Sequence, residues 1–101
     1  MDIKTTKNGI NVEFALSGRL DTNTAPLLTD EVNATVTDEV WNVVFDFSAL
    51  DYISSAGLRV ILMTQKKMNA RQGTMMVRHP NDMIWEVFEA TGFSDIMNIE
   101  R

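Results

Sequence analysis

The spacing of apolar residues along this chain changes several times, and each change marks an element. Ile3 to Lys7 reads as a short strand, Asn8-Gly9 is a strong two-residue hairpin signal, and Ile10, Val12, Phe14 and Leu16 fall on one face of a strand running through Ser17. The chain therefore opens with a β-hairpin. Gly18 through Asn23 reads as a loop. Thr24 or a neighbour then caps a helix that has Pro26 near its first turn and Ala25, Leu28, Val32 and Val36 along one stripe.

Val40 to Phe47 contains Val43, Val44 and Phe45 without the alternation of a half-exposed strand, which predicts a central strand covered on both faces. From Ser55 onward Leu58, Ile61, Leu62 and Met68 recur at helical spacing. Gly73 ends that helix before a short strand at Met75, Met76 and Val77. Met83, Ile84, Val87 and Phe88 form another helical stripe that stops near Gly92, and Ile96 to Ile99 supplies a last short strand. The order β-β-α-β-α-β-α-β predicts an α/β fold: a mixed β-sheet with its helices packed largely on one side.

Composition narrows the picture. With 101 residues, 45% of them hydrophobic and 23% charged, the chain fits a single domain, 1–101, with one core. Zero cysteines and one histidine remove disulfides and thiolate metal sites, so no resident metal or cofactor is expected. The net charge of -5 disfavours direct nucleic-acid binding. Lys66, Lys67 and Arg71 lie toward the end of a predicted helix, where cations complement the helix dipole. No apolar run approaches the ~20 residues that span a bilayer, and no secretory leader opens the chain; a soluble, cytoplasmic protein without membrane insertion is expected. Met63, Met68, Met75, Met76 and Met83 and both tryptophans, Trp41 and Trp85, are expected to fill the core.

Chemistry is expected in the loops that leave the C-terminal ends of the strands. One carries Asp21, Thr22 and Asn23; a second carries Asp51, Ser54 and Ser55; a third carries Arg78, His79 and Asn81. Ser54 and Ser55 sit where a helix begins. There the first backbone N–H groups lack partners, so a serine caps the helix or holds a phosphate. Ser55, His79 and one of Asp21, Asp46 or Asp51 supply the parts of a nucleophilic triad, but no Gly-x-Ser-x-Gly elbow surrounds Ser55, and Asp46 and Asp51 read as turn caps. The lysine and glycine spacing of a nucleotide-binding loop is missing as well.

Two segments carry a family resemblance. Ser54-Ser55-Ala56-Gly57-Leu58-Arg59 resembles the Asp-Ser-Ser/Thr-Gly-Leu-Gly loop of the STAS domain, the module shared by bacterial anti-sigma factor antagonists and the cytoplasmic tails of sulfate transporters. Gly18-Arg19-Leu20-Asp21-Thr22-Asn23-Thr24-Ala25 resembles the Gly-x-Leu-Asp-x-x-Thr-Ala segment of the same family. Aligned on Gly57-Leu58, the phosphorylatable serine falls on Ser55, with Ser54 the alternative, and the loop acid falls on Asp21. The chain departs from the pattern twice: Ser54 replaces an acid and Arg59 replaces a glycine.

The resemblance implies a STAS-like sheet and a non-enzymatic, stand-alone antagonist. Its partner-binding surface would comprise Asp21, Thr22, Asn23, Ser54, Ser55, Gly57, Leu58 and Arg59. The implied partners are an anti-sigma factor with serine kinase activity, which brings its own ATP, and a metal-dependent serine phosphatase that resets Ser55. Arg59 reads either as a solvated surface arginine or as a partner for a phosphate on Ser55. The competing implication is a constitutive STAS interaction subunit of a lipid-transport ATPase complex or another signalling scaffold.

Overall fold

A computed structural model describes all 101 residues. Strands β1 (Asp2–Asn8) and β2 (Asn11–Leu20) form the opening hairpin, and three helices, α1 (Ala25–Thr35), α2 (Ser55–Ala70) and α3 (Asp82–Thr91), alternate with β3 (Asn42–Ile53), β4 (Thr74–Arg78) and β5 (Asn98–Glu100). A single 3₁₀ turn, Phe93–Asp95, precedes β5. The strands lie in the order β1-β2-β3-β4-β5, with β1 antiparallel to β2 and every later pair parallel. Each parallel step advances to the next position in the same direction. Right-handed crossovers therefore put all three helices over one face of the sheet.

That face holds the core. Val12, Phe14 and Leu16 from β2, Val43, Phe45 and Phe47 from β3, and Met75 and Val77 from β4 are buried under Leu28 and Val32 of α1, Ile61 and Met68 of α2, and Ile84 and Phe88 of α3. Phe14 stacks on Phe45 with ring centroids 5.3 Å apart, and Phe47 stacks on Phe88 at 6.2 Å, so aromatic packing runs from β2 through β3 to α3. Each such ring contributes roughly 1.5–3 kcal/mol by leaving water.

The other face is polar, which corrects the expectation that β3 is covered on both sides. Val43, Phe45 and Phe47 are buried while Val44 and Asp46 are only half-buried, so β3 alternates after all. Its central position comes from hydrogen bonding between β2 and β4. Asn42 donates to Asn11 and accepts from Thr74 across this open face.

Several boundaries move. The hairpin turn is Gly9-Ile10, one residue later than predicted, since Asn8 pairs with Asn11. Gly9 has φ 62°, and a positive φ at the first central position alone is the type II′ pattern that suits the right-handed twist of a hairpin. Ile10 consequently lies at the tip, half exposed, instead of on the core face. β2 runs on through Gly18 to Leu20, and β3 continues to Ile53, taking Asp51 out of the predicted loop. β5 begins at Asn98, leaving Ile96 exposed.

The extension of β3 has a structural cause. Its register against β2 shifts between the Ala15 and Ser17 pairs and again between Gly18 and Arg19, so β3 spends two more residues than β2 on the same distance. Asp46 accepts the Ser48 N–H at 2.9 Å across the first bulge, and this bond, with the charges of His79 and Arg78, holds its carboxyl below the ordinary value despite partial burial. Trp41 is also not core: it is exposed beside Ile10, whose carbonyl accepts its backbone N–H, and Met83 is exposed on α3.

Candidate regulatory site at the carboxyl edge of the sheet

Because β2, β3 and β4 are parallel, their C-terminal ends point the same way, but β4 ends at Arg78 opposite Asp46, seven residues short of Ile53. Leu20 pairs with Ile53, so the residues that follow, Asp21 and Ser54, leave neighbouring strand ends. The Ser54 N–H donates to the Leu20 carbonyl at 2.9 Å and ties the two exits together.

The β2–α1 turn closes on itself. One Asp21 carboxylate oxygen accepts the N–H groups of Asn23 at 3.0 Å and Thr24 at 3.1 Å. The Thr24 hydroxyl accepts from the Asp21 N–H and donates to the Arg19 carbonyl, both at 2.8 Å. Thr24 thus occupies the N-cap position without capping, because its oxygen serves the turn; Pro26 in the first turn lowers the number of N–H groups needing a partner. Partial burial of the Asp21 carboxyl opposes its charge. The donors from Thr24 and Asn23, with the Arg19 guanidinium 3.8 Å away, outweigh that and set its pKa below the ordinary value. Arg19 itself lies over the Tyr52 ring at 4.2 Å.

The two serines have different jobs. Ser54 is extended (φ −98°, ψ 175°), half-buried, and its Oγ accepts the Gly57 N–H at 3.3 Å, making it the N-cap of α2. Ser55 is the first helical residue, is exposed, and its hydroxyl makes no hydrogen bond within the chain. Gly57 explains how closely this helix end is seated: a Cβ there would stand 2.7 Å from Leu20 Cγ, 2.9 Å from Ile53 Cγ1 and 3.0 Å from the Leu20 carbonyl. The glycine therefore lets α2 rest directly on the ends of β2 and β3.

Of the eight predicted surface residues, Thr22, Asn23, Ser55 and Arg59 are exposed, while Asp21 and Ser54 are half-buried. Gly57 and Leu58 are buried, and Leu58 belongs to the core. These two position the surface from beneath. No hydrogen bond joins Asp21 to either serine; their link is the Leu20 carbonyl. Nor does any hydrogen bond connect Ser55, His79 and the aspartates of the hypothetical triad. His79 has a left-handed φ of 56°, and its N–H donates to the Glu100 carbonyl.

Two contributors have roles that the sequence reading does not assign: Asn81, expected only as a member of the third loop, and a groove between two helices. Asn81 caps α3 by accepting the Ile84 N–H at 2.8 Å, and its side-chain amide reaches back to the Leu50 and Asp51 carbonyls at 3.3 and 3.2 Å, bracing the end of β3. An asparagine directly before an apolar helical stripe was the available clue. The second is a groove of ≈ 400 Å³ between α1 and α2, beside Ser55, lined in part by Thr22, Ala25, Pro26, Ala56, Arg59 and Met63. Small residues facing each other from two helices leave this space, a juxtaposition that spacing along one helix does not reveal. No cluster of three or more His, Cys, Asp or Glu forms a metal-binding group, and no helix is long and apolar enough to cross a membrane.

Similarity to known proteins is consistent along the chain. A protein of Bordetella bronchiseptica named as an anti-sigma factor antagonist, BtrV, is 38% identical over 84 residues, covering 83% of this chain and 72% of that protein. The anti-sigma-B factor antagonist of Listeria monocytogenes is 27% identical over 91 residues, covering 90% and 80% respectively. The fold matches the Bacillus anti-sigma factor antagonist SpoIIAA in its unphosphorylated and phosphorylated forms, each with a TM-score of 0.79 at 18% identity, over 99% of this chain and 88% and 92% of those chains. The STAS domain model matches residues 2–101, so this chain belongs to the STAS domain family.

Proposed function

We propose that this chain is an anti-sigma factor antagonist: unphosphorylated, it captures an anti-sigma factor that is also a serine kinase, and phosphorylation of Ser55 releases that partner. The observation that carries the choice of residue is the division of labour between the serines. The Ser54 hydroxyl is committed to the Gly57 N–H, whereas the Ser55 hydroxyl is exposed and unbonded at the helix start. Related proteins named as anti-sigma factor antagonists, and a fold neighbour known in both phosphorylation states, support the partner class and the switch.

Transfer of the γ-phosphoryl group of ATP to Ser55 Oγ releases ADP and a proton and adds ~1.5 to 2 negative charges. At a helix N-terminus that charge is favourable, so the fold persists. In a close interface the same dianion must lose water and meet the partner's own charges, which weakens the complex by several kcal/mol. A metal-dependent serine phosphatase restores the hydroxyl. The chain itself acts by binding, as one domain, and needs no cofactor.

The test is quantitative affinity capture with wild type, Ser55→Ala and Ser55→Asp, each verified as folded, together with mass spectrometry of Ser55 after incubation with the captured partner and ATP. Capture of a kinase-like anti-sigma factor by wild type and Ser55→Ala, its loss with Ser55→Asp, and phosphate on Ser55 are expected. Phosphate on Ser54 instead would move the switch by one residue. Equal capture of a transporter ATPase by all three would replace the switch with a constitutive scaffold role.

A further inference from the structure

The chain has five arginines, and four are engaged. Arg19 meets Asp21 and Tyr52, Arg71 donates to the Thr37 and Val40 carbonyls, Arg78 lies near Glu13 and Glu100, and Arg101 pairs with Asp82 over the Trp85 ring. Arg59 has no such partner. It is exposed on α2 at the mouth of the α1–α2 groove, with Asp30 on the opposite wall outside ion-pair distance.

Arg59 also stands four residues after Ser55 on the same helix. Residues at i and i+4 are surface neighbours, with Cβ atoms ≈ 5–6 Å apart. Because Cα–Cβ bonds tilt toward the helix N-terminus, a long side chain at 59 reaches back over position 55. The favourable polarity for such a pair is acid first and base four residues later. A planar guanidinium also matches a phosphate oxygen pair better than an ammonium does.

We propose that Arg59 is the intramolecular partner of phosphoserine 55: phosphorylation draws its guanidinium out of the groove mouth and onto the phosphate. The proposal rests on Ser55 being the modified residue. Phosphorylation then changes the surface twice, by adding a dianion and by withdrawing the one unpaired arginine that the groove offers a partner. The acids on the surrounding elements, Asp21 in the β2–α1 turn, Asp51 on β3 and Asp30 on α1, oppose the second ionisation of the phosphate and Arg19 favours it, while Lys66, ~16 Å along α2, is largely screened. All are common to the variants compared below and cancel in the difference.

The experiment installs phosphoserine directly at position 55 of the full chain, so its result does not depend on which kinase acts or whether one does. The second phosphate ionisation is followed by ³¹P NMR in wild type, Arg59→Gln and Arg59→Lys, each shown to be folded by its dispersed amide spectrum. The expected result is a second pKa about 0.3 units lower in wild type than in Arg59→Gln, with Arg59→Lys between them. The Arg59 Nε–H resonance of wild type is expected to shift with the same midpoint. Coincident titration of wild type and Arg59→Gln, or an Nε–H signal indifferent to phosphate ionisation, would overturn the proposal. Absence of Ser55 phosphorylation by a cellular kinase would instead bear on the switch itself. Should Arg59→Gln fail to fold, the Nε–H titration of phosphorylated wild type alone decides.

Discussion

At the carboxyl edge of the sheet the turn side chains mostly close on their own backbone; at the amino edge the turns are held by groups reaching across from other elements. Asp21 and Thr24 satisfy each other's turn, and Ser54 caps the helix that follows it. At the opposite edge, Arg71 at the end of α2 donates to the Thr37 and Val40 carbonyls at 2.6 and 2.9 Å, and Gly73 packs against the Trp41 carbonyl. Local closure has a consequence. It leaves the Ser55 hydroxyl and Arg59 outside the network, where a charge can be added or removed without unfolding anything. The amino edge has less of that freedom, since Lys7, Asn42, Arg71 and Thr74 each join two elements.

The two glycines give the largest test of this contrast. A Cβ at Gly73 would lie 2.6 Å from the Trp41 carbonyl oxygen, a backbone atom, so Gly73→Ala is expected to cost about 2–3 kcal/mol in urea unfolding. At Gly57 the nearest atoms are side-chain carbons of Leu20 and Ile53, and alanine regains up to ~1 kcal/mol of helix propensity, so Gly57→Ala should cost only about 1 kcal/mol. Equal losses would break the comparison.

Next come the arginines. Truncating Arg71 leaves the Val40 carbonyl without its donor, while the Thr37 carbonyl keeps the Val40 N–H, and Arg71→Ala should lose about 1–3 kcal/mol, whereas Arg59→Ala should stay within about 0.5 kcal/mol. The serines repeat the contrast within a single edge. Ser54→Ala should cost about 1 kcal/mol through loss of the cap, and Ser55→Ala about 0.5 kcal/mol or less, while only changes at Ser55 move partner capture. A large stability loss from Ser55→Ala would show its hydroxyl to be structural.

The smallest expected effect is at Asp21. Its carboxyl titrates below the ordinary aspartate value of 3.8, so the stability it adds is fully present above that value and is lost as pH falls through the lower, folded-state pKa. The difference in thermal midpoint between wild type and Asp21→Ala should therefore be present at neutral pH and narrow below pH 3.8. A difference unchanged into strong acid would show that the turn depends on the shape of the side chain and not on its charge.

How much of this was legible beforehand varies by kind of feature. The element order, the buried stripe of α1 and the helix beginning at Ser55 follow from periodicity, because a helix must turn one face to the core every 3.6 residues. The site segments were legible through the two motif resemblances. The hairpin turn slipped by one residue because Gly9 supplies its positive φ at the first central position, which places Ile10 in the turn as well. The length of β3 was not legible, because bulges leave no periodic trace: two register shifts carry the strand past Asp51 to Ile53, where a regular alternation would have ended.

By itself the sequence determined local matters: where apolar faces lie, that serines stand at a helix start, and that an arginine follows Ser55 by four residues. Only the tertiary structure decided between neighbours with the same chemistry. Ser54 and Ser55 carry identical hydroxyls, and what separates them is that the Ser54 N–H is anchored to the Leu20 carbonyl of another strand, which turns its side chain into the cap and leaves the next one facing water. Likewise, five arginines are alike on paper, and four of them become structural only because folding brings carbonyls, acids or rings to them. Such distinctions depend on contacts between residues far apart in the chain, and no local pattern encodes them.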